Sequence, residues 1–168
     1  MKWRVGLVLA LLPAFAAAET RTLLDAAQAG DSAAALQLVG SGADARARSS
    51  DGTTVLHWAV HHGDLELTRR LLKAGADASA RNDYGSTPLQ EAAIRGDAGL
   101  LEALLKAGAD PETTNDEGET VLMTVARTGK VEAAQALVKA GADVNAVESW
   151  RGQTALMWAA AQRNPDMV

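Results

Sequence analysis

Leu56-His57-Trp58-Ala59-Val60 returns 33 residues later as Leu89-Gln90-Glu91-Ala92-Ala93, and again as Leu122-Met123-Thr124-Val125-Ala126. The tripeptide Gly-Ala-Asp keeps the same beat at residues 42–44, 75–77, 108–110 and 141–143. A fixed period of this size belongs to a solenoid, whose units stack on their neighbours and are not stable alone. The fold class expected is an all-α repeat solenoid of stacked helical hairpins. Such an array presents surface, which points to binding over catalysis.

Within each unit the residues spell out the hairpin. A turn opens it at Asp51-Gly52, Tyr84-Gly85, Glu117-Gly118 and Arg151-Gly152, and a threonine follows two residues after each glycine, at 54, 87, 120 and 154. A threonine there, with helix-period residues behind it, reads as an N-cap. Pro88 stands in the first helical position, where its missing N–H costs nothing. The first helix ends near Gly63, Gly96 and Gly129; the second runs to Gly75, Gly108 and Gly141, which supply a left-handed closing residue. The run Gly40 to Ala45 matches a loose dinucleotide pattern, but it follows a helix, so it reads as a helix stop.

Columns in register place the core. Leu23, Leu56, Leu89, Leu122 and Leu156 form one; Ala26, Ala59, Ala92, Val125 and Ala159 form another; Ala27, Val60, Ala93, Ala126 and Ala160 follow them. Leu71-Leu72, Leu104-Leu105 and Leu137-Val138 give the second helix its apolar stripe. Gly99 costs about 1 kcal/mol relative to alanine, which marks the third unit's second helix as a weak element.

Gly-Ser-Thr-Pro-Leu at residues 85–89, the Thr-x-Leu-His of the second unit, and Gly-Ala-Asp-x-x-Ala (Gly75 to Ala80, Gly141 to Ala146) resemble the ankyrin repeat. The resemblance covers about residues 20–168, in units of about 20–49, 50–82, 83–115, 116–149 and 150–168. It implies helix-turn-helix units joined by β-turn fingers, a structural histidine at His57, and a protein-binding role on the concave face. The first unit departs from the pattern: Arg21 stands where a threonine is expected, and Asp25 and Gln28 suit a cap facing water. The last has one extra residue near Trp150 and Arg163 in place of the turn glycine. It stops where its second helix is due, so the chain is expected to be the N-terminal portion of a longer protein, or the product of a truncated gene.

Before the repeats, Lys2 and Arg4 precede an apolar run from Val5 to Ala18, with Ala16-Ala17-Ala18 before Glu19. This reads as a signal peptide over residues 1–18, cleaved after Ala18, in preference to a buried helix; at 14 residues the run is too short to span a bilayer. The mature chain is therefore expected to be periplasmic or secreted and without membrane insertion. Lys2 and Arg4 belong to a total of 16 basic side chains against 21 acidic ones, so cleavage moves the net charge from −5 to −7. That balance provides no footprint for nucleic acid. The absence of cysteine suits a repeat core that needs no disulfide.

Signals for catalysis are weak. His57 and His61 lie four apart, as metal ligands on one helix do, but no third ligand accompanies them. Asp110, Glu112, Asp116, Glu117 and Glu119 lack calcium-loop spacing and read as a solvated acidic finger able to steer a basic partner. No metal, cofactor or catalytic residue is assigned. Trp58 and Trp158 share one repeat position and read as partial core. Tyr84 and Trp150 sit at turn tips, where no core needs them. The expected partner-binding set is Asp51, Thr53, Tyr84, Ser86, Glu117, Glu119, Trp150 and Arg151 from the fingers, with His61, His62, Ile94, Arg95, Arg127 and Thr128 from the first helices. The partner is expected to be a protein and the array a monomer. Two other readings stay open: a regulatory array attached to an enzyme beyond Val168, and a structural spacer.

Overall fold

A computed structural model describes residues 21–167, so the expected signal segment over 1–18 lies outside the described residues. Among them, helices alternate between two rows. The first-helix row is α1 (Leu23–Gln28), α3 (Val55–His61), α5 (Pro88–Arg95), α7 (Val121–Thr128) and α9 (Ala155–Ala161). The second-helix row is α2 (Ser32–Gly40), α4 (Leu65–Lys73), α6 (Ala98–Lys106) and α8 (Val131–Lys139), and a short 3-10 turn follows at Pro165–Met167. Each helix from α1 to α8 packs on its hairpin partner, and neighbours pack along both rows. The result is the two-layer solenoid that the period predicts.

The threonines set where the first helices begin. Thr54, Thr87, Thr120 and Thr154 each accept a hydrogen bond from the backbone N–H three residues on. In three of them the residue three on answers: His57 Nδ1, Gln90 Oε1 and Met123 Sδ receive the threonine's own N–H. The first unit uses the same device one position later than expected. Thr22, not residue 21, caps α1, and the Asp25 carboxylate accepts from the Thr22 N–H at 2.9 Å. Asp25 thus closes a capping box and is not merely a water-facing residue.

A second series of caps went unread in the sequence although it keeps the same period. Asp31, Asp64 and Asp97 accept from the N–H of Ala34, Leu67 and Leu100 and start α2, α4 and α6. The fourth member is Lys130, which starts α8 with no side-chain cap.

The core columns hold through four units and then open. Leu23, Leu56, Leu89 and Leu122 are buried, as are Ala26, Ala59, Ala92, Val125 and Ala159. Truncating one of these leucines to alanine costs about 2–5 kcal/mol. Leu156, expected in the same column, is 52% exposed, and Ala160 is exposed. No first helix follows α9 among the described residues to cover them. Leu71, Leu104 and Leu137 are buried, whereas Leu72 and Leu105 are half-buried and Val138 is exposed.

Gly99 has a packing reason. A Cβ there would lie 3.2 Å from Leu65 Cδ2, so glycine lets α6 settle closely on the start of α4. Between α9 and the 3-10 turn, Arg163 takes φ +58°, where the other units use Gly30, Gly63, Gly96 and Gly129. A side chain in that conformation costs roughly 1–2 kcal/mol.

Candidate functional site

The third, fourth and fifth fingers are built on one residue at a fixed register. In the third unit, Asn82 Oδ1 accepts from the N–H of Tyr84 at 3.1 Å and of Ser86 at 2.9 Å. In the fourth, Asn115 Oδ1 accepts from Glu117 at 3.1 Å and Glu119 at 2.9 Å. The turn closes with Gly85 N–H to the Asn82 carbonyl and Gly118 N–H to that of Asn115. The fifth finger carries the extra residue, and Gly152 N–H reaches back one position further, to the Glu148 carbonyl. The asparagine is replaced there by Glu148, whose longer carboxylate spans the wider turn and accepts from the N–H of Trp150, Arg151 and Gln153. Glu148 is buried. The backbone N–H bonds, that of Gln153 foremost, hold its carboxyl below the ordinary glutamate range. Only its register with Asn82 and Asn115 marked it in the sequence.

Successive fingers are laced together. Asp83 N–H donates to the Asp51 carbonyl at 2.9 Å, Ser149 N–H to the Glu117 carbonyl at 3.1 Å, and the Arg81 guanidinium to the carbonyls of Gly85 and Thr114. With the backbone occupied, the turn side chains project as tips. Tyr84 and Trp150 are each 77% exposed. The Arg151 guanidinium lies over the Trp150 ring, 4.0 Å from its centroid.

Several expected contact residues also form hydrogen bonds within the chain. Thr53 is buried: its hydroxyl accepts from Asn82 Nδ2 at 3.2 Å and its carbonyl from the Ser49 N–H. Arg95 donates to the His61 carbonyl at 2.8 Å, and His62 Nε2 to the Gln28 carbonyl at 3.1 Å. Both are side chains of one unit satisfying the C-terminal carbonyls of the first helix before it, as basic groups there do. Thr128 bonds the carbonyl of Val125 within its own helix. Asp51 binds the Thr53 N–H and the Ser49 hydroxyl. Ser86 contacts Glu91 through its hydroxyl, and its carbonyl accepts from His57. His57 is buried and His61 exposed, and no group of three metal-ligating side chains occurs among the described residues. Trp58 and Trp158 pack half-buried on the core, as the sequence suggested.

Part of the set converges. Tyr84, Ser86, Ile94, Glu117, Glu119 and Arg127 line one depression of about 390 Å³ between the third and fourth fingers. Glu117, Glu119 and Trp150, with Glu148 and Trp158, line a second of about 570 Å³ between the fourth and fifth. Ile94 is 62% exposed in the first groove. Glu119 sits on the ridge between the two, 3.7 Å from the Arg127 guanidinium and accepting from the Thr124 hydroxyl. Arg127 in turn lies 5.4 Å from the Trp158 ring centroid.

A family model described as ankyrin repeats in three copies matches residues 23–115 and again 91–168. The chain belongs to the ankyrin-repeat family. No curated protein matches it. Ankyrin repeats are in general protein–protein interaction modules, typically non-enzymatic. That role agrees with an ankyrin array whose bound polar groups hold the stack and whose aromatic groups stand at the tips. No helix among the described residues is long and apolar enough to cross a membrane.

Proposed function

We propose that this chain is an exported, monomeric ankyrin-repeat binder that holds a partner protein along its fingers and first helices. The observation that carries the reading is the exposure of Tyr84 and Trp150 beside two grooves that meet at Glu117 and Glu119. Exposed aromatic groups at the rim of a groove are the kind that anchor an interface. The acidic mature chain is not suited to nucleic acid.

The test is comparative capture from a periplasmic extract. Tyr84→Ala and Trp150→Ala should each weaken binding by about 2 kcal/mol or more if they are anchors, with the melting transition nearly unchanged. Glu117→Lys should slow association, less so at high salt. The control is Arg69→Ala on α4, in the other helix row. If that change abolishes capture while the two aromatic variants bind normally, the binding face is wrong and a spacer is the better reading.

Export has its own test. Protein recovered from the periplasm of a Gram-negative host should begin at Glu19, because the basic start and alanine-rich site suit a signal peptidase. An intact Met1 on that material would refute export through a cleaved signal.

A further inference from the structure

The two grooves have a chemistry that narrows the partner. Asp116, Glu117, Glu119 and Glu148 line them against one basic side chain, Arg127. Glu148 is occupied by backbone N–H groups, and Glu119 faces Arg127. Asp116 and Glu117 are exposed and form no ion pair among the described residues. An anionic segment entering here meets four carboxylates; a cationic one meets two that are free.

The aromatic side of the second groove points the same way. Both of its tryptophans already hold a guanidinium of this chain, Arg127 over Trp158 and Arg151 over Trp150. An indole face attracts a cation through its quadrupole. Arg127 is tethered by Glu119. Arg151 is exposed and makes no ion pair among the described residues, so it is displaceable. Trp158 Nε1 is also buried there without a hydrogen-bond partner.

Resting on the binding role above, we infer that the paired grooves take an extended peptide segment of the partner that presents a lysine or arginine. The cation enters the second groove between the Trp150 face and the Glu117 carboxylate, displacing Arg151. The first groove, bounded by Tyr84 and Ile94, takes an apolar side chain of the same segment. Adjacent pockets along an extended strand receive different side chains in this way.

A random peptide display library selected on the full chain tests the assignment. Peptides carrying lysine or arginine beside an apolar residue should be enriched. For a synthetic copy of the leading peptide, Glu117→Lys and Trp150→Ala should each weaken binding about tenfold or more, with Glu117→Gln intermediate. Arg151→Ala should tighten it about threefold, because the ring face and the acidic field are both freed. Melting curves verify that each variant is folded. Enrichment of acidic or uncharged peptides that still require Tyr84 and Trp150 would overturn the cation and leave the binding face standing. Peptides indifferent to those residues but lost in Arg69→Ala would overturn both. Unchanged or weaker binding in Arg151→Ala would overturn the displacement, and no enrichment would overturn the peptide assignment, with capture of the whole partner still deciding the binding role.

Discussion

His57 shows how a single side chain ties sequence to stack. Its Nδ1 accepts from the Thr54 N–H at 3.2 Å, so the ring proton is on Nε2, which donates to the Ser86 carbonyl of the next unit at 3.1 Å. Burial, more than any neighbour, pushes its pKa below the usual 6.5; the Ser86 carbonyl and the Glu91 and Asp51 charges pull the other way. A proton added at Nδ1 would face the Thr54 N–H. The unfolded chain therefore takes up a proton first as the pH falls. Stability from this site is complete above about 6.5 and declines below it, toward the folded-state pKa. Glu148 loses its contribution only in more acidic solution, as the pH falls through its lowered pKa. Replacing His57 by Gln keeps a cap like that of Gln90 but loses the bond to Ser86, so His57→Gln should be about 1 kcal/mol less stable at neutral pH. Its melting temperature should also vary less between about pH 7 and about pH 5 than that of the parent chain. An equal dependence would show that His57 is not the titrating group. The role of His57 was legible because its register matches a family position. The roles of Thr53, His62 and Arg95 were not. Neither a turn position nor exposure at a helix end reveals whether a polar atom is spent, and their partners lie 29 to 34 residues away.

At the scale of the element, the helices differ chiefly in how they begin. The threonine caps of the first helices were readable from a glycine, a threonine and the apolar residues behind them. The aspartate caps at 31, 64 and 97 carried the same period directly after Gly30, Gly63 and Gly96, but those glycines read as the end of the helix before and not as the start of the next. Lys130 in that series leaves α8 uncapped and sets a positive charge against the positive end of the helix dipole. Lys130→Asp should restore the bond and reverse the charge, raising stability by about 1 kcal/mol. The stem of Lys130 lies against Gly96, and losing that cover offsets part of the gain. A thermal melt that is unchanged or lower than the parent's would show that the cover matters more than the cap.

Over the whole molecule, stability is expected to fall along the array. Nearest-neighbour contacts carry a solenoid, so a unit is held by the faces on either side of it. The α3, α5 and α7 helices have a first-row neighbour on both sides. The α9 helix packs on α7 and leaves Leu156 and Met157 about half exposed, while α8 lacks its cap and exposes Val138. Hydrogen exchange should show protection declining from the second and third units toward residue 150 and beyond. Protection that stays level up to Trp158 would mean that the last helix closes the stack adequately. The row order, the threonine caps and the buried columns followed from a 33-residue period, because each residue in register meets the same neighbours. The column opens at Leu156 because a period describes interior units, and no first helix follows α9 among the described residues.

The fifth finger holds an extra residue, yet Thr154 still caps α9 as Thr120 caps α7. The widened turn opens at Glu148, whose carboxylate gathers the N–H groups that follow before the next helix starts. Length variation is thereby confined to the tip. In an inheritance of copied units, a codon gained there alters what the array touches while the register of the helices behind it passes on unchanged. Recognition and folding can then diverge at separate rates within one gene.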